Sequence, residues 1–363
     1  LLISTLLTFA LFIAFQTGMV ETIKAQIGSR FMSDVNKMRS KVFKDVDTVK
    51  RQMKQIREDI KRRNLQFQVK MTEAIKYEIG VITGSKVPKN MDDEVMVQNK
   101  RADQLWGYYF KRYGQQVEKN ERTQKRKIPK DEKTDIYRSP NPRARAFNWR
   151  DRRKVTPVRH QRQCGCCWAF TAAAVLESNF MIRNNWTTDL SEQHMIDCSR
   201  DRYGRKAGTC NGGWYGKVFD YLMRKSANTE GRNPYRARDM FCRGSVFNKY
   251  KVAAWGYVGY RGRIPTVMQV KKALCKYGPL AACVKVTPAF QAYSRGIFDE
   301  RTRVRGPRDI NHAITIVGWD DSKRSFLIKN SWGTYWGERG YMWIQYGCNN
   351  IGYGTTWAVV SRR

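Results

Sequence analysis

Ten residues, Gln161-Arg-Gln-Cys-Gly-Cys-Cys-Trp-Ala-Phe170, constrain this chain more than any other stretch of similar length. They set Cys167 directly before Trp-Ala-Phe-Thr-Ala-Ala-Ala-Val-Leu-Glu177, whose small and apolar residues predict the first turns of a helix. A cysteine there meets backbone N–H groups that lack intrahelical acceptors, and the positive end of the helix dipole. Both favour thiolate over thiol. With a histidinium alongside, such a setting lowers a cysteine pKa from about 8.5 to roughly 3.5–7.5. The segment therefore offers a nucleophile and asks for a base from elsewhere in the chain.

Only three histidines are present: His160, His194 and His312. His160 and His194 have no motif around them and read as surface residues. His312 lies in Ile310-Asn-His-Ala-Ile-Thr-Ile-Val-Gly-Trp319, where flanking apolar residues predict a buried strand. It follows Cys167 by 145 residues (312 − 167), within the roughly 130–150 of one known cysteine–histidine arrangement. Further on, Lys329-Asn-Ser-Trp-Gly-Thr-Tyr-Trp-Gly-Glu-Arg-Gly-Tyr341 supplies Asn330, an amide able to orient an imidazole. The cluster Cys164-Gly-Cys-Cys167 lacks a second pair at zinc-ligand spacing, so no metal or other cofactor is expected. Strand signals also fall on 280–286, 313–319, 325–329 and 340–346.

Three further landmarks accompany these segments in order. They are Phe147-Asn-Trp-Arg150 with Val155-Thr-Pro-Val158, Leu190-Ser-Glu-Gln-His-Met-Ile-Asp-Cys198, and Cys210-Asn-Gly-Gly213. On all of them together, residues 146–363 resemble a papain-type, cathepsin-like cysteine protease. The resemblance implies an α+β, papain-like two-lobe fold. A helical left lobe would carry Cys167, and a β-barrel-like right lobe would carry His312 and Asn330 across a cleft.

The same resemblance implies the roles. Cys167 would attack the scissile carbonyl to give an acyl-enzyme that water hydrolyses. His312 would pair with the thiolate and protonate the leaving amine. Asn330 would orient the imidazole, and Trp332 would shield that hydrogen bond. The Gln161 amide and the Cys167 N–H would hold the oxyanion. Gly212 and Gly213 would offer a strand edge to an extended peptide. Trp214, Tyr215, Cys283, Ile310, Ala313 and Gly354 would line the pocket for the second residue before the cut. That pocket carries no charge and ends at a glycine, so a bulky apolar or aromatic side chain is expected there. Trp336 would flank the leaving-group side. Cys164–Cys210 and Cys198–Cys242 would be disulfides, leaving Cys166, Cys275, Cys283 and Cys348 unassigned among nine cysteines. Two departures stand out: Arg162 replaces a usual glycine and Cys166 a common serine. The expected activity is that of an endopeptidase made as a zymogen. The alternative is a catalytically weak or inactive papain-like scaffold tethered to a membrane.

Ahead of this lies a chain of different character. Residues 1–20 begin with an apolar run suited to a signal peptide or signal anchor. From 21 to 60, Ile23, Ile27, Phe31, Val35, Met38, Val42, Val46, Val49, Met53, Ile56 and Ile60 recur at helical spacing. This predicts an amphipathic helix, either a coiled coil joining copies or a helix packed on its own prodomain. Asp59, Arg63 and Phe67 match a degenerate cathepsin-type propeptide over 59–117. Asn99–Tyr113 looks like its segment ahead of the active-site crossing. Residues 118–145, polar and basic with Pro129, Pro140 and Pro142, read as an activation linker. A lumenal, lysosomal or extracellular location is expected, and the Asn185-Trp-Thr187 sequon has meaning there. The net charge of +36 suits anionic glycans or a membrane surface, whereas no nucleic-acid recognition fold is evident.

Overall fold

The computed structural model describes residues 42–126, 140–302 and 306–361, with only the backbone for 110–126 and 308. Residues 1–41, which hold the expected signal or anchor and most of the amphipathic run, lie outside. Among the described residues no helix is long and apolar enough to cross a membrane.

Helix α1 (Val46–Arg63) starts where Asp45 accepts the Thr48 N–H, and it ends on Asn64 in the left-handed region. Its buried residues Val49 and Met53 lie against Ile75 and Ala292, with Ile56 and Val69 alongside. This part of the apolar stripe is covered by the same chain, so it is not left open for a coiled coil. Strand β1 (Phe67–Val69) follows, then the single turn α2 (Ile79–Ile82). Residues 83–86 are irregular, and the long helix α3 (Met91–Arg126) comes next. Two expectations change here. Asn99–Tyr113 sits on α3 after residues 83–86 and not before them. The helix also runs through 118–126, where the linker was expected to begin.

The left lobe is built on α4 (Cys167–Arg183), α5 (Glu192–Cys198) and α6 (Tyr215–Arg224). Helix α4 is buried without a break from Cys167 to Phe180, which is why its sequence shows no polar face. Disulfides Cys164–Cys210 and Cys198–Cys242 bind its loops, with Cα separations of 4.6 and 4.8 Å. His194, read above as a surface residue, is fully buried. It lies on α5, every residue of which is buried beneath the loop that Cys242 anchors.

The right lobe is a nine-stranded sheet in the order β1-β7-β10-β9-β8-β6-β11-β5, with β2 (Ala146–Asn148) paired on β8. The strands are β5 (Val252–Tyr257), β6 (Leu280–Val284), β7 (Tyr293–Phe298), β8 (His312–Asp320), β9 (Ser325–Lys329), β10 (Tyr341–Gln345) and β11 (Tyr353–Val360). Two short strands, β3 (Gly208–Thr209) and β4 (Gly212–Gly213), pair separately beside α4. Helix α7 (Val267–Tyr277) opens with a capping box between Thr266 and Gln269. The single-turn helix α8 (Pro288–Ala292) lies under α1.

Candidate active site

Helix α4 begins at Cys167 itself, so the thiol sits over unpaired N–H groups of the first turn. Strand β8 begins at His312, on the other lobe. The two elements meet there: the Ala313 N–H donates to Cys167 Sγ at 3.4 Å. Strand β9 ends one residue before Asn330, whose Oδ1 stands 2.8 Å from His312 Nε2 and accepts the Ser331 N–H at 2.8 Å. An oxygen that only accepts requires Nε2 to carry the ring proton, leaving Nδ1 as the basic nitrogen. That Nδ1 is buried and unbonded among the described residues. Trp332 lies over the imidazole, with ring centroids 4.8 Å apart.

Gln161 is held at both ends of its amide. Nε2 donates to the Cys164 carbonyl at 2.7 Å, and Oε1 accepts the Ser331 hydroxyl at 2.6 Å. Arg162 beside it takes a positive φ of 52°, the conformation that favours glycine. Its N–H donates to His160 Nδ1 at 2.8 Å. Cys166 is fully buried with its sulfur 3.1 Å from Tyr235 Oη.

An extended segment of this chain's own N-terminal part covers the whole arrangement. The Trp332 indole donates to Ile82 O at 3.1 Å. The Gly213 N–H donates to Gly84 O, the Lys86 N–H to Gly213 O, and the Ser85 N–H to Asn311 O. Ser85 and Gly213 pair in parallel. Gly84 has no room for a side chain: a Cβ there would stand 1.9 Å from Gly165 O. Gly165 is equally confined, since its own Cβ would meet Thr83 O at 2.6 Å. This strap, residues 83–86, is the functional segment that sequence reading missed. Its only signal is an isolated Gly-Ser between two helical patterns.

The pair beneath the strap is fully enclosed, and burial moves both groups. Burial pushes the Cys167 thiol up to about 11, although the Ala313, Gly84 and Trp168 backbone N–H groups favour the thiolate. Burial also brings His312 down to about 4, opposed by the Asn330 hydrogen bond. With the strap in place both shifts favour the neutral forms over the ion pair expected from the sequence.

The expected pocket residues cluster beyond Ser85. Trp214, Tyr215, Cys283, Ile310 and Ala313 are all buried in one core. The Tyr215 hydroxyl donates to Gly354 O at 2.6 Å, which ties Gly354 to the same spot. Trp336 is only 2 % exposed; it stacks on Phe290 and meets Trp332 edge-on.

Among curated proteins, the chain is 36% identical over 205 residues to digestive cysteine proteinase 3 of Homarus americanus, covering 55% of this chain and 61% of that protein. It is 34% identical to procathepsin L of Rattus norvegicus over 217 residues, 57% of this chain and 61% of the relative. The chain thus spans about three-fifths of the length of each of these relatives. Among solved structures, digestive procathepsin L 3 of the Tenebrio molitor larval midgut superposes with a TM-score of 0.60. That match covers 86% of this chain and 90% of the other at 23% identity, so it speaks for the fold. Residues 143–360 match the model described as papain family cysteine protease, and the chain belongs to that family.

Proposed function

We propose that this chain is a cysteine endopeptidase made as a zymogen, with Cys167, His312 and Asn330 as its working residues and the strap as its inhibitor. The observation that carries the reading is the Asn330 Oδ1–His312 Nε2 contact beside a thiol at the start of α4. It supports Nδ1 as the nitrogen that takes the Cys167 proton once the strap leaves and water enters. Cys167 then attacks the peptide carbonyl, and the amine departs with the proton held on Nδ1. The Gln161 amide has one N–H proton spent on Cys164 O, so the second serves the oxyanion together with the Cys167 N–H. One such donor is worth about 10²–10³ in rate. Gly212 and Gly213 are the edge that binds peptide, since the strap already pairs with Gly213. Passage through the secretory pathway fits the two disulfides.

The bulky apolar side chain expected at the second position before the cut is weighed below against a smaller one, since a Cβ on Gly354 would stand 2.7 Å from Trp214 Cη2. The test is Cys167→Ala in chain processed ahead of Ala146. Loss of cleavage of denatured protein and of labelling by a thiol-directed epoxide is expected. Cleavage that persists in the variant rules the mechanism out.

A further inference from the structure

The strap residue next to Gly84 shows what the recess beside Cys167 accepts. Ser85 is only 7 % exposed, and its Oγ stands 3.0 Å from Cys283 Sγ. Behind that sulfur runs a chain of hydrogen bonds whose direction is fixed from the far end. The Gly354 carbonyl can only accept, so the Tyr215 hydroxyl donates to it at 2.6 Å. That proton spent, Tyr215 Oη accepts from Cys283 Sγ at 3.5 Å. The sulfur is left with lone pairs alone for its remaining neighbour. A hydroxyl that enters the recess can therefore donate to the sulfur, as the Ser85 hydroxyl does.

Depth is limited by the same residues. Trp214 and Tyr215 stack with centroids 4.3 Å apart, and the Trp214 indole donates to Tyr257 Oη at 3.0 Å. The space over Gly354 is already taken. A Cβ added there would lie 2.7 Å from Trp214 Cη2 and 3.0 Å from Tyr215 Oη. A side chain that reaches toward Gly354 meets the Tyr215 hydroxyl, which is already committed to Gly354 O. A hydroxymethyl group fits as the recess stands.

We propose that the recess floored by Cys283 and closed by Tyr215 selects a small, hydroxyl-bearing residue, serine or threonine, at the second position before the cut. This rests on the endopeptidase reading above and names its substrate class. The experiment uses the full chain after processing ahead of Ala146, given a mixture of denatured proteins, with the cut sites read by mass spectrometry. Matched peptides that differ only at the second position then give kcat/KM.

Serine and threonine should dominate that position, and the serine peptide should exceed the leucine peptide by about tenfold or more, the usual scale for pocket exclusion. Cys283→Ala removes the acceptor and should cut the serine-over-alanine ratio by roughly fivefold, the worth of one hydrogen bond. Tyr215→Leu should admit leucine; the smaller Cys283 change keeps the test in hand if that variant does not fold. Cuts that follow mainly leucine or phenylalanine at this position overturn the proposal while leaving the peptidase standing. No cuts at all overturn the endopeptidase reading, and this inference with it.

Discussion

Asn330 serves two donors with one oxygen, the His312 ring and the Ser331 N–H. Remove it and the buried Nε2–H loses its acceptor, so nothing holds the ring in the tautomer that leaves Nδ1 basic. Asn330→Ala should lower kcat about 10²-fold while KM for peptides changes little, measured on processed chain and normalised to the number of titratable thiols. Gly84 is the opposite kind of residue, needed for what it lacks. A Cβ at 1.9 Å from Gly165 O forces the strap to lift, so Gly84→Val should unmask Cys167 in the unprocessed chain. Alkylation of that thiol by iodoacetamide should then be at least about tenfold faster than in the unaltered chain, since burial is what pushes its pKa up.

Elements differ in how far the sequence announces them. Helix α4 and strand β8 were legible because each is buried all round and reads as an apolar run, with a chemical residue at its first position. The amphipathic stripe of α1 says that a face must be covered but not by what. The cover proves to be Ile75 and Ala292, and Ala292 lies more than two hundred positions away. Met53→Ala in that interface should cost about 2–5 kcal/mol, read as earlier melting of the N-terminal part or faster processing. The strap was illegible because backbone contacts and an absent Cβ place it, and neither leaves a period. Burial of His194 escaped for a related reason: a helix enclosed on every side can carry a polar residue that composition assigns to solvent. The four expected strands on 280–346 came through because alternation and β-branched residues survive in a sheet core.

Across the whole molecule, the two lobes are joined by a buried polar seam as well as by the covered cleft. Thr156 donates to Glu177 at 2.6 Å and accepts from Lys329 Nζ at 3.2 Å, so one hydroxyl links β9 to α4. Burial brings Lys329 down to about 8, with Glu177 opposing the fall. Lys329→Ala takes the donor from Thr156 and a buried cation from the neighbourhood of Glu177, and should destabilise the processed chain by about 1–3 kcal/mol in urea unfolding. The pH dependence of the strap follows from the pair as a whole. Covered, burial keeps the proton on Cys167 and His312 neutral; uncovered, the same proton sits on His312, so the two states bind equal numbers of protons near neutrality. Strap docking is thus level around neutral pH and weakens only in acid strong enough to reprotonate the freed thiolate. Processing followed against pH should be flat near neutrality and accelerate only in that acid range.

The central claim is that Cys167, freed of the strap, is a thiolate made by His312. The most direct measurement is the pH profile of Cys167 alkylation in processed chain, with and without His312→Ala. Reactivity that persists well below pH 7 and shifts up to about 8.5 or higher in the variant is the predicted result. A single titration at about 8.5 or above in both proteins would contradict it.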